Sequence, residues 1–295
     1  MTREIAVVVV SYNKKQYTEL CLKGLLASDP QPEQLVVVDN GSEDGSVQML
    51  DGPVRRRCAE EEVDFAFIAN DENLGACTAR NQALEVTEGR YVAFIDNDAA
   101  VRSRDWLAVL ASVLDESDEV GIVGPKLLFP FEPYNIECAG VGISSEGRVK
   151  YLGRGSPKDA PEFCSRTPVQ CLTSACWLMR RKLYKTLGGL DEAFNPAQFE
   201  DFDFCYRARE AGWTVLYEPD AEMYHYENTT TAGSNDLNFK YVTIKNWQVF
   251  KERWRHMFEK EDGPPTDDCM WKPLETKPLH ATGEPPIIEP NIPAG

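Results

Sequence analysis

The sequence predicts an α/β protein built on a mostly parallel sheet, and three observations carry that prediction. Short β-branched apolar runs alternate with helical patterns through the first half, which implies parallel strands covered on both faces. The first two runs end on polar clusters, Ser11-Tyr12-Asn13 and Asp39-Asn40-Gly41-Ser42, where adjacent parallel strands emit their loops into one crevice. A later run, Tyr91-Val92-Ala93-Phe94-Ile95, stops on Asp96-Asn97-Asp98, two carboxylates flanking one residue. With 295 residues, the chain can bury a full core as one large domain.

Taken in order, residues 5–11 form the first strand. Residues 16–26 form a helix, with Leu20, Leu22, Leu25 and Leu26 near helical spacing. Strands follow at 35–39 and 63–69, a helix at 76–86, a fourth strand at 91–95 and an amphipathic helix at 106–114. From about 121 to 168, Gly, Pro and Ser become frequent, and strand-like pieces such as 136–143 lack intervening helices. Loops and an antiparallel extension are expected there. Residues 169–179 read as one buried strand, and 182–187 as a helix ending at Gly188-Gly189. A helix at 202–211 is stopped by Gly212, and 214–217 is a strand. Residues 236–258 read as one long helix carrying Phe239, Trp247, Phe250, Trp254 and Phe258.

Beyond residue 259 the composition breaks: eight of the 19 prolines lie between Pro264 and Pro293. Such a segment cannot bury enough apolar surface to order itself alone. The expected organisation is a domain over 1–259, divided near residue 120, and an extended or disordered tail over 260–295. The tail offers a route to oligomer contacts.

A net charge of −17, from 31 basic and 48 acidic residues, argues against nucleic acid or an anionic membrane as main partner. Arg55-Arg56-Arg57 and Arg180-Arg181-Lys182 are the dense basic stretches, and solvated surface accounts for both. Nine scattered cysteines without a Cys-x-x-Cys, beside three histidines, do not make a structural zinc cluster. They fit a reducing compartment. The apolar run near the N-terminus is too short for a signal or membrane span, so a cytoplasmic, soluble chain is expected.

Two carboxylates beyond a strand offer hard oxygen ligands suited to Mg²⁺ or Mn²⁺ bridging a diphosphate, although turns also favour Asp and Asn. Asn73-Leu74-Gly75, followed by Ala79-Arg80-Asn81, opens the helix after the third strand. Arg80 could face a phosphate as a fork-shaped donor or pair with surface acid. Glu200-Asp201-Phe202-Asp203 begins another helix, so Asp201 and Asp203 cannot share a face. One can point into a cleft while the other caps, in which case Asp203→Asn costs about 1 kcal/mol. Taken by itself, His225 reads as a partly buried structural histidine.

In this order the motifs Val-Val-Ser-Tyr-Asn, Val-Val-Asp-Asn-Gly-Ser, Asn-x-Gly-x-x-x-Ala-Arg-Asn and Phe-Ile-Asp-Asn-Asp resemble the family-2 glycosyltransferases of the GT-A fold. The resemblance is nearest to the rhamnosyltransferase-like subgroup. It continues through Ser174-Ala175-Cys176-Trp177, Gly189-Leu190-Asp191-Glu192-Ala193-Phe194 and Glu200-Asp201-Phe202-Asp203, covering residues 5–254.

That resemblance implies a Rossmann-like nucleotide-binding sheet with an acceptor-side extension, and a role for each motif. Ser11, Tyr12, Asn13, Asp39, Asn73, Arg80, Asp96 and Asn97 would bind the donor, with Asp39 accepting from a pyrimidine N–H. Asp98, His225 and Asp96 would hold Mn²⁺ or Mg²⁺. Trp177 and Glu200 would meet the acceptor, and Asp201 would be the catalytic base. The implied activity is inverting, metal-dependent transfer of a hexose or deoxyhexose from a UDP- or dTDP-type donor to an acceptor hydroxyl.

Two alternatives belong to other classes. A sugar nucleotidyltransferase would want a Gly-rich phosphate loop after the first strand, whereas Ser11-Tyr12-Asn13-Lys14-Lys15 has lysines and no glycine. A non-catalytic nucleotide-sugar-binding module would not need the full set of acids present here.

Overall fold

The computed structural model describes residues 4–227, 229, 239–271 and 273–290. The first half runs β1 (Ile5–Ser11), α1 (Lys15–Leu26), β2 (Gln34–Asp39), α2 (Ser46–Met49), α3 (Arg55–Glu60), β3 (Asp64–Ala69), α4 (Ala76–Val86) and β4 (Tyr91–Asp96). Then come β5 (Ala99–Val101), α5 (Trp106–Glu116), β6 (Val120–Leu128), β7 (Ile136–Cys138), β8 (Val141–Ile143), β9 (Val149–Tyr151) and β10 (Thr167–Pro168). The last part holds β11 (Cys176–Arg180), α6 (Arg181–Leu187), α7 (Glu200–Glu210), β12 (Thr214–His225), α8 (Phe239–Phe258) and α9 (Leu279–Thr282).

The main sheet has the order β10-β12-β6-β11-β4-β1-β2-β3, with β5 on β12 and β7 on β6. β1, β2, β3 and β4 are mutually parallel, whereas β11 runs antiparallel between β4 and β6. After β3 the chain crosses to the far side of β1, and the reversal beside β1 and β4 opens a crevice at their carboxyl ends. Register brings the polar ends level, since Ser11 pairs with Asp39 and Val10 with Asp96. Helices cover these strands on both faces, so Val7, Val9, Val36, Val37 and Phe94 are fully buried.

Three expectations change. Residues 121–168 were read as loops and short pieces, but β6 is a nine-residue, fully buried strand. Its Gly124 lets Leu172 approach so closely that an added Cβ would lie 2.8 Å from that side chain. The buried strand expected over 169–179 starts only at Cys176, because Gln170 and Ser174 spend backbone or side-chain groups on tertiary partners instead. The strand expected over 214–217 extends to His225 through an irregularity between Glu218 and Glu222. The start of the helix expected over 236–258 lies outside the described residues; from Phe239 onward it is present.

Near the C-terminus, Ile288 bridges Ser103 in parallel, and its N–H donates to the Arg102 carbonyl at 2.7 Å. All nine cysteines are free, and seven are buried. Among the described residues no helix is long and apolar enough to cross a membrane.

Candidate active site

A cavity of about 850 Å³ opens at the carboxyl ends of β1 and β4. Tyr12, Asn73, Arg80, Asp96, Asn97 and Asp98 line one part of it, and Glu200, Asp201 and His225 another. The turn leaving β1 holds Asn13 and Lys14 at φ 55° and 59°, a left-handed conformation that costs energy outside glycine and gathers at functional sites. Asn97 reaches back beneath that turn, donating to Thr18 Oγ1 at 2.9 Å. Asn40 joins the next loop to it, donating to Asn73 Oδ1 at 2.8 Å and accepting from the Leu74 N–H.

β12 delivers His225 to the end of β4. It pairs antiparallel with β5, setting His225 opposite Ala99, and the Tyr226 N–H donates to the Asp98 carbonyl at 3.0 Å. His225 Nε2 then lies 3.5 Å from Asp98 Oδ1. Asp96, Asp98 and His225 each place a ligand atom within 4.8 Å of the other two. Burial opposes the His225 imidazolium, yet the flanking Asp98 and Glu137 carboxylates hold its pKa well above the ordinary value. Burial also raises the Asp96 carboxyl, against the pull of Arg80. Two carboxylates and one imidazole crowded into a buried corner form a set that fits a divalent cation of intermediate softness.

The opposite wall comes from α7. Gln198 and Phe199 precede it at φ 83° and 73°, two consecutive left-handed residues that turn the chain sharply into Glu200. Asn246 of α8 staples this turn, donating to the carbonyls of Phe194, Ala197 and Gln198 at 2.7, 2.9 and 3.0 Å. Arg80 forks between the two walls, 2.6 Å from Asp96 Oδ1 and 2.9 Å from Glu200 Oε1. Asp201 accepts from the Phe202 N–H at 2.8 Å and the Ser174 N–H at 3.2 Å. Burial pushes its carboxyl up to about 8; Glu200 adds to the rise and the two amides oppose it.

Comparison with known proteins adds the decisive observation: residues 6–188 match the family model described as "Glycosyl transferase family 2". The chain belongs to that family. Its fold is that of the GT-A glycosyltransferases. It is 29% identical over 230 residues to protein y4gI of Sinorhizobium fredii, covering 75% of this chain and 24% of that one. The chain thus spans about a quarter of that relative's length. It is 25% identical to the N-acetylglucosaminyl-diphospho-decaprenol L-rhamnosyltransferase of Mycobacterium tuberculosis, with 78% of both chains covered. Its fold matches the crystal structure of GalNAc-T7 with UDP, GalNAc and Mn²⁺ at a TM-score of 0.68 and 15% identity, covering 88% of this chain and 49% of that one.

Not every residue expected at the site reaches the cavity. Trp177 is fully buried between Phe94 and Phe204, at ring-centroid distances of 5.8 and 6.0 Å, so it cannot meet an acceptor. Its strand is central, and both faces of a central strand are covered. Ser11 is also fully buried, and its hydroxyl pairs with Thr18 at 3.2 Å. Its place is beneath the site. Asn13 spends its side chain on the Glu43 N–H at 2.9 Å. Arg80 pairs with two acids rather than standing free for a phosphate. Asp39 is fully buried; one oxygen accepts from the Ser42 N–H at 2.8 Å and the other has no partner among the described residues.

Several cavity residues had no site signal in the sequence. Tyr151, Trp247 and Trp271 line the second half, as do Glu137 and Glu227. Trp247 was legible only as one of a helix's aromatics. Glu137 was visible as a lone acid in the apolar run Ile136-Glu137-Cys138.

Asp203 also departs from expectation. It does not cap α7: Arg207 Nε, the Arg253 guanidinium and Trp254 Nε1 donate to its fully buried carboxylate at 2.9, 2.8 and 2.8 Å. Removing one member of a buried ion network strands its partners, at about 3–5 kcal/mol when all are buried. Arg207 and Arg253 are part exposed, so Asp203→Asn should cost about 3 kcal/mol. Urea unfolding should show a lower midpoint at unchanged slope. A loss of only about 1 kcal/mol would restore the cap reading.

Proposed function

We propose that this chain is an inverting glycosyltransferase that uses a divalent cation and a nucleotide-diphosphate sugar. One observation carries the reading: Arg80 ties Asp96 of the metal-ligating cluster to Glu200, the neighbour of Asp201, across one cavity. Asp96, Asp98 and His225 would hold the cation, and the imidazole favours Mn²⁺ over Mg²⁺. Such a cation neutralises the charge of the departing diphosphate.

Asp201 would take the acceptor hydroxyl's proton as the hydroxyl oxygen bonds to the anomeric carbon. The bond to the diphosphate oxygen breaks on the opposite face, and one displacement inverts the anomeric configuration. A raised carboxyl pKa suits this task, because a base poised near the working pH accepts protons best. Glu200, whose Oε2 is buried and unpartnered among the described residues, would orient the acceptor. Asp39 keeps one buried oxygen without a partner among the described residues but does not line the cavity, so a UDP- or dTDP-type donor is supported by the motif resemblance alone. Tyr12, Asn73 and Asn97 would complete donor binding. We read residues 1–259 as the glycosyltransferase domain and 260–295 as its tail.

A panel of nucleotide sugars, assayed with and without chelator, tests this. Turnover should vanish in EDTA and return with Mn²⁺, and the product should carry the anomeric configuration opposite to the donor's. Full turnover in chelator would remove the cation from the reading, and retained configuration would remove the single displacement.

A further inference from the structure

We propose that Glu137 is a positioning residue for the candidate metal site. It would fix His225 with the proton on Nδ1 and leave Nε2 bare toward the cation; this rests on the metal reading above. The first observation is an insertion. β7 pairs antiparallel with β6, matching Leu127 to Cys138 and Leu128 to Ile136, so Glu137 is an extra residue on its strand. Such a bulge re-aims a side chain and recurs beside active sites. Here it turns a carboxylate into a fully buried place on the cavity wall.

The second observation is how that carboxylate is held. Arg154 grips Glu137 Oε1 at 3.2 Å and Glu227 Oε2 at 2.7 Å, and its guanidinium lies 4.1 Å from the centroid of the Trp271 ring. This leaves Glu137 Oε2 facing His225 Nδ1 at 3.6 Å. Both atoms are buried, and among the described residues neither has another hydrogen-bond partner. At 3.6 Å this is not yet a hydrogen bond, but a shift of about 0.6 Å makes it one. A carboxylate can only accept, so the proton between these atoms belongs to Nδ1. The opposite nitrogen, Nε2, is the one that faces Asp98. Carboxylate, imidazole and ligand position thus fall in sequence, the arrangement by which an outer acid orients a histidine ligand.

Titration of the protein with Mn²⁺ alone, followed by loss of the free aqueous Mn²⁺ resonance, tests this without an activity assay. Glu137→Gln should weaken Mn²⁺ binding by about 10–100-fold. Asp98→Asn, run beside it, tests the metal site itself. If Asp98→Asn weakens binding and Glu137→Gln matches wild type, the role of Glu137 is overturned and the site stands. If wild type binds no Mn²⁺, both fall. Should Glu137→Gln fail to fold, ¹⁵N spectra of histidine-labelled wild type loaded with Mg²⁺ decide, and with three histidines the signals are few. His225 should show protonated Nδ1 and an unprotonated Nε2; the reverse tautomer overturns the proposal.

Discussion

Asp201→Asn should lower turnover by about 10²–10⁴-fold, the range a positioned general base supplies, while donor affinity stays near wild type. The two readouts separate because the group acts on the acceptor proton only as the transition state forms. The substitution keeps shape and one accepting oxygen for the Phe202 or Ser174 amide, so the fold should survive. A pH signature accompanies it. With the Asp201 carboxyl at about 8, the base form is depleted below that pH, and kcat/KM should climb through pH 8 toward alkaline values. The asparagine variant's residual activity should lack that limb.

Linkage gives the matching stability statement. A carboxyl whose folded pKa lies above its unfolded value makes the folded state bind the extra proton. Its unfavourable contribution therefore grows as pH rises from the ordinary carboxylate range to about 8, and is complete above that. A profile flat through pH 8, with Asp201→Asn active, would move the base elsewhere. Asp203→Asn is the control from the same helix turn: an active but less stable enzyme.

Asp98→Asn should cost at least about a hundredfold in turnover, since a Lewis acid worth several kcal/mol of charge stabilisation loses one of its ligands. Exposure is not what protects the fold here. Asp98 is only 7% accessible, closed in by His225 and the end of β12. The fold should nonetheless hold, because its carboxylate faces His225 at 3.5 Å and makes no hydrogen bond to backbone among the described residues. Removing one negative charge from a crowded cluster also relieves repulsion with Asp96. The variant should fold with a lowered melting temperature, because the buried His225 loses one of its two flanking acids, and should lose response to Mn²⁺. Near-normal turnover at saturating Mn²⁺ would leave Asp98 a turn residue.

The sequence by itself determined the parallel half of the fold. β1, β2 and β4 are buried on both faces, so they read as unbroken apolar runs, and their polar ends mark the crevice. Asp96, Asp98, Asp201 and His225 were legible because each stands in a motif whose order along the chain resembles one family.

Tertiary structure decided the rest, for a reason common to each case. β6 was hidden because Gly121, Gly124 and Pro125 break its apolar pattern, and only packing against Trp213 and Leu172 explains the small residues. Trp177 sits in a strand continuing a site motif, yet its side chain points into the core between two phenylalanines. Arg80, Glu200 and Asp96 are far apart in sequence, so no local pattern could say that one guanidinium would hold both acids. Glu137 needed a one-residue bulge to reach His225, and Asp203 became a buried ion-network centre through Arg253 and Trp254, about fifty residues later. Periodicity along a chain reports which face of an element is buried; which groups meet across that face is a property of the packed whole.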